Sequence, residues 1–116
     1  MSRIGESTRI VRLPVGNTGG GFLPGVQTLT GAGAVNLTTG STLLVTTGAN
    51  ALTLAAGAEN QDKLIKLKTD GGDGTLTPNS LQGGTTLTFN DAGDFVLLRY
   101  LDGKWNIICN SGCTLA

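Results

Sequence analysis

The residues best suited to chemistry in this chain are four aspartates, Asp70, Asp73, Asp91 and Asp94, and two thiols, Cys109 and Cys113. Hard cations such as calcium take several carboxylate and carbonyl oxygens, and Asp70-Gly71-Gly72-Asp73-Gly74 loosely resembles a calcium-binding turn. The run has neither the spacing of an EF-hand loop nor a repeated nonapeptide, and aspartate before glycine is the ordinary way to build a tight turn. A turn is therefore expected, with a weak cation site at Asp70 and Asp73 left open. Cys109 and Cys113 fit neither a zinc knuckle nor a redox pair, and no histidine exists to complete a metal site. Buried reduced thiols are expected, with a local or an intermolecular disulfide as the alternatives.

The lack of histidine also removes the commonest general base. The glycine runs at Gly19-Gly20-Gly21 and Gly71-Gly72 are followed by no lysine-serine or lysine-threonine pair, so they match no phosphate loop. No nucleophile elbow is present, and few aromatic residues accompany Trp105 to form a sugar platform. The expectation is a protein without catalytic residues and without a cofactor.

The elements that would hold such residues read as strands. Asp91 to Asn110 carries the best strand-turn-strand signal: Phe95 to Leu101 and Lys104 to Cys109 flank Asp102-Gly103, a pair that tolerates the positive φ of a type I′ turn. The first of these strands is apolar on both sides, and the second alternates, with Trp105, Ile107 and Cys109 on one face. Phe95, Leu97, Tyr100, Trp105 and Ile107 are thus expected to pack in the core or against a second copy of the chain, since a two-sided strand needs cover on both faces. Upstream, Val26 to Thr30, Ala34 to Thr38, Leu43 to Thr46 and Ala51 to Ala55 are candidate strands punctuated by small-residue turns. LTGAGAVNLTTG and VTTGANALTLAAG look alike, too few copies to define a solenoid. Asp62 to Thr69 is a half-exposed strand with Ile65 and Leu67 to one side, Leu64, Lys66 and Lys68 to the other. Thr75 to Thr77, Thr85 to Phe89 and a short final strand in Ser111 to Ala116 complete the series. The fold class is all-β, an antiparallel sandwich or barrel, jelly-roll-like, of about eight or nine short strands.

With 116 residues the chain makes one β domain, residues 29–116, preceded by an extended arm, residues 1–28. Eight basic and eight acidic residues cancel, which suggests neither nucleic-acid nor membrane attraction. The arm is nonetheless basic, with Arg3, Arg9 and Arg12 against Glu6, and it repeats apolar residues at Ile10, Val11, Leu13 and Phe22. That mixture suits a segment that orders on a partner. No apolar run reaches the roughly 20 residues of a membrane span, and residues 1–12 lack a signal-peptide core, so synthesis in the cytoplasm is expected.

From LTLAAG through TDGGDGTLTP, GGTTLTFNDAGD and the DGKW turn to SGCTLA, the chain resembles small β-rich structural proteins of tailed bacteriophages, marine and cyanobacterial ones especially, and among them capsid decoration or cement proteins. The resemblance covers about residues 29 to 116. It implies a homotrimer on the outer capsid surface that clamps major capsid protein subunits. The arm lies outside the resemblance, and its basic and apolar residues Arg3, Arg9, Ile10, Val11, Arg12, Leu13 and Phe22 are expected from their composition to grip the shell. The same pattern also occurs in tail and fibre pieces. That implies the alternative of a trimeric tail or head-fibre module whose loops bind a host-surface glycan.

Overall fold

Short runs of alternating apolar and threonine residues, each cut off by glycine, pair readily as strands and leave no segment long enough for an amphipathic helix. In the structure, a computed structural model that describes residues 21–116, they form eleven strands, with no helix among the described residues. These are β1 (Gly21–Phe22), β2 (Val26–Thr30), β3 (Gly33–Val35), β4 (Ser41–Val45), β5 (Asn50–Leu54) and β6 (Gln61–Thr69). The remainder are β7 (Gly74–Pro78), β8 (Leu87–Phe89), β9 (Phe95–Leu101), β10 (Lys104–Ser111) and β11 (Thr114–Leu115). One sheet has the order β10-β9-β6-β4-β2, with β1 beside β6, and the other the order β11-β8-β7-β5-β3.

The fold is the expected all-β sandwich, and it differs from the antiparallel reading in strand direction. β2, β4 and β6 pair parallel in the first sheet, as β3, β5 and β7 do in the second. The chain passes three times from the first sheet to the second, each pass laid beside the one before. Parallel neighbours need a crossover, and here the strand in the opposite sheet supplies it. LTGAGAVNLTTG and VTTGANALTLAAG are two successive passes of this short coil: Leu29 pairs with Leu44, and Val35 with Leu54. Their spacing does not recur, because Leu44 next pairs with Leu67 across a longer pass.

The turns between sheets stack at one end, and Thr46 ties them together. Its hydroxyl donates to the Gly72 carbonyl at 2.7 Å and accepts from the Gly71 N–H at 2.9 Å. A side chain at Gly71 would come within 2.1 Å of the Thr46 carbonyl oxygen, so the glycines of DGGDG serve the close approach of two turns.

Antiparallel pairing governs the second half: β9 pairs with β6 and β10, and β8 with β7 and β11. Asp102 and Gly103 both have positive φ, 57° and 72°, as the type I′ turn requires. A bulge sets Leu97 opposite Cys109 and Leu98 opposite Ile107, leaving Ile108 as the extra residue. Between the sheets lie Leu44, Leu52, Ile65, Leu67, Leu76, Leu87, Phe89, Val96, Leu98 and Trp105, all buried. Trp105 donates its indole N–H to the Ala55 carbonyl at 2.9 Å and meets Tyr100 edge-on, ring centroids 5.2 Å apart.

The described part of the expected arm, residues 21–28, belongs to the first sheet instead of extending from it. β1 pairs with Gln61 and Asp62 of β6, and Phe22 lies against Gly40. Arg3, Arg9, Ile10, Val11, Arg12 and Leu13 lie outside the described residues.

Candidate functional site

Alternation along each strand gives the sandwich two outer faces. The outer face of the second sheet is built from two rows across the strands, Ala34-Thr53-Thr77 and Ala51-Thr75-Thr88-Thr114. All of these residues are exposed or half-buried, and none carries a charge or a large hydrocarbon group. On the first sheet the corresponding rows are Val26-Ser41-Leu64-Leu97-Cys109 and Thr28-Leu43-Lys66-Phe95-Ser111. Leu43, Leu64, Phe95 and Leu97 are half-buried, and Ile108 beside them is 49% exposed. Val26 and Phe22 add further exposed hydrocarbon towards the β2 side, at 60% and 53%.

This apolar face is edged by charge. Arg99 grips Asp62 through two hydrogen bonds, Nε to Oδ1 at 2.7 Å and Nη2 to Oδ2 at 3.2 Å. The geometry is the paired fork that a guanidinium offers a carboxylate. Towards the other end of β6, Lys66 and Lys68 stand exposed on the same face. The aspartates Asp91 and Asp94 come alongside that end, where the Gly93 N–H donates to the Leu67 carbonyl and the Leu67 N–H to the Asp94 carbonyl, both at 2.8 Å.

The expected packing residues divide between inside and outside. Trp105 is buried, and Tyr100 and Ile107 pack against the core, whereas Phe95 and Leu97 point outward with Leu64 between them and β4. The two-sided character read for β9 is therefore present, with one side closed by the sandwich and the other half open. Leu64 and Leu43 join that open side only because β6 pairs with β9 and β4 pairs with β6. Alternation had already placed Leu64 outward, but nothing in the sequence says which strands are neighbours.

Two of the aspartates singled out for cation binding, Asp70 and Asp94, are occupied with backbone. Asp70 Oδ1 accepts from the Gly72 N–H at 3.1 Å, and Asp94 Oδ2 accepts from the N–H groups of Asn90 and Asp91, each at 3.0 Å. Among the described residues no three of His, Cys, Asp or Glu gather closely enough to hold a metal ion. Both cysteines are free thiols, so the local disulfide between them is not formed. Cys113 is buried as expected, while Cys109 is exposed on the apolar outer face. Burial, with the charge of Asp94 added, pushes the Cys113 thiol up to about 12 and leaves it protonated and unreactive.

Lys63 escaped the sequence reading. It shares the inward side of β6 with Ile65 and Leu67 and is fully buried. Its three protons are all placed: Nζ donates to Asn36 Oδ1 at 3.0 Å, to the Thr39 carbonyl at 2.9 Å and to Thr39 Oγ1 at 3.0 Å. Burial lowers its pKa from 10.5 to about 8. The signal was the alternation itself, which puts position 63 on the face of 65 and 67.

No family model and no curated protein matches this chain.

Proposed function

We propose that this protein is a structural component of a tailed-phage virion, a trimeric decoration protein that binds the outer capsid surface and clamps neighbouring major capsid subunits. The observation that carries the reading is the apolar outer face of the first sheet, Leu43, Leu64, Phe95 and Leu97 beside exposed Ile108. A contiguous apolar patch of this kind favours burial against another protein surface. The opposite face, threonine and alanine only, suits solvent at the outside of a particle. The basic and apolar residues Arg3, Arg9, Ile10, Val11, Arg12 and Leu13 precede β1 in sequence and would grip the shell with Phe22, which is exposed. Three linked copies of a weak grip bind more tightly than one by roughly 10² to 10⁴. Binding to the assembled shell alone then stabilises it by mass action.

The test is co-sedimentation of the purified protein with capsid shells that lack it. The expected result is saturable binding that Arg9→Ala with Arg12→Ala abolishes, and that changes in the turn at Asp70 to Gly74 which preserve its glycines leave intact. Binding that survives the arginine changes, together with loop changes that alter adsorption to host cells, would favour the fibre module instead.

A further inference from the structure

We propose that Lys63 and Asn36 are an intramolecular cross-linking pair, in which the lysine amine displaces ammonia from the asparagine amide and ties the two sheets together covalently. This stands apart from the capsid reading and holds or fails without it. Asn36 directly follows β3 of the second sheet, and Lys63 is in β6, the middle strand of the first. Their side chains meet with Nζ 3.0 Å from Oδ1, where Lys63 is fully buried and Asn36 half-buried. Holding an amine against an amide in this way replaces a slow encounter by an intramolecular one.

The amide is polarised for attack. Asn36 Oδ1 accepts from Thr39 Oγ1 at 2.8 Å and from the Thr39 N–H at 3.3 Å, besides Lys63. Both remain when the lysine gives up a proton, and they hold the oxygen on which negative charge develops. Nζ then has two protons for three acceptors. The Thr39 carbonyl only accepts, and the Thr39 hydroxyl has its own proton on Asn36, so both N–H groups go to Thr39, at 2.9 and 3.0 Å. The lone pair is left facing the Asn36 amide. Burial brings the neutral amine within reach by lowering its pKa to about 8. The groups around it carry no charge: β9 sets Leu98 beside Lys63, Gly40 lies on the β4 side, and the second sheet turns Leu52 and Leu54 inward. The adjacent Asp62 is held by Arg99 on the outer face. In the reaction Nζ bonds to Asn36 Cγ, the Cγ–Nδ2 bond breaks, and Nδ2 leaves as ammonia with one proton from Nζ, passed through the Thr39 hydroxyl. Nothing is oxidised or reduced. Before the bond forms the amine titrates, and afterwards it does not.

The full chain is held one pH unit above the lysine's pKa and two units below it, and its intact mass is followed. The expected result is loss of one ammonia, roughly 10²-fold faster at the higher pH, the ratio of neutral amine in the two conditions. Cleavage after Glu59 in denaturant and reductant then separates residue 36 from residue 63 unless they are bonded. The reacted chain is expected to stay in one piece, and Lys63→Met to fall into two. Should that variant fail to fold, the natural chain held in denaturant at the higher pH is the comparison, and its fragments are expected to separate because the pairing exists only in the fold. Closure of Asn36 on its own backbone also releases ammonia, but it leaves the fragments separate. An unchanged mass, fragments that separate after the folded chain has been held at the higher pH, or fragments that stay joined in Lys63→Met would overturn the proposal.

Discussion

The two outer faces of this sandwich are made by the same rule and end up opposite in character. Each sheet alternates inward and outward residues; inward, the second sheet sets Val35, Leu52, Leu54, Leu76, Leu87 and Phe89, and the first Leu44, Ile65, Leu67, Val96, Leu98 and Trp105 with the one buried lysine, Lys63. Outward, the second sheet repeats threonine and alanine, while the first carries leucine and phenylalanine across β4, β6 and β9. Both interiors need apolar residues for folding, whereas the outer leucines do not fill the space between the sheets, and the proposed association is what would cover them. Threonine is as good a strand former as leucine on a half-buried surface, which makes the apolar choice on one face alone informative.

The comparison can be tested from its strongest point to its weakest. Trp105→Ala removes a residue that closes the space between both sheets, and it is expected to cost about 3–5 kcal/mol in denaturant unfolding. Such a loss would set the scale of an inner position against which outer ones are read.

Next in size is the buried Lys63. Its folded pKa of about 8 lies below the ordinary 10.5, so between these values the unfolded chain holds more protons than the folded one. Stability is therefore expected to rise with pH from about 8 to about 10.5 and to be flat with respect to this group below 8. The gain is up to about 3 kcal/mol at 1.36 kcal/mol per unit. Urea midpoints measured at intervals across this window should rise for the natural chain more than for Lys63→Met. Equal slopes would mean that the three oxygens around Nζ compensate its burial in full.

Thr46→Val deletes the hydroxyl that joins two stacked turns and leaves the Gly71 N–H and Gly72 carbonyl without it. A loss of about 1–3 kcal/mol is expected by thermal melting. The smallest effect sharpens the comparison most directly. Leu64→Thr with Leu97→Thr would give the first sheet an outer face like the second. The unfolding free energy of the single chain is expected to change by no more than about 1 kcal/mol, while association measured by light scattering is lost. If the double variant loses stability on the scale of Trp105→Ala, the outer leucines belong to the fold of one chain after all.

Much of the strand inventory was legible because it is local. Val26–Thr30 and Phe95–Leu101 fall where alternation and glycine punctuation put them, and Asp102-Gly103 makes the turn that its residue types demand. The parallel coil was not legible, because its passes differ in length and only the pairing of Leu29, Leu44 and Leu67 reveals that they are equivalent. The outer apolar face was half legible: Phe95 and Leu97 announced a second side to β9, and Leu43 joined them only through sheet order. The expected disulfide alternatives illustrate the same limit. Nearness in sequence between Cys109 and Cys113 did not fix their surroundings, since the chain bends at Gly112 between them and leaves one at the surface and the other in the core.

By itself the sequence determined the all-β class, most strand positions, the type I′ hairpin and the turn role of the DGGDG glycines. These depend on alternation and on φ preferences, which act over a few residues. Tertiary structure alone decided that early strands run parallel, that Lys63 meets Asn36 and Thr39 in the interior, and that leucines from β4, β6 and β9 share one surface. Each of those requires knowing which distant segments lie side by side, and the energy that chooses among such pairings belongs to the packed whole.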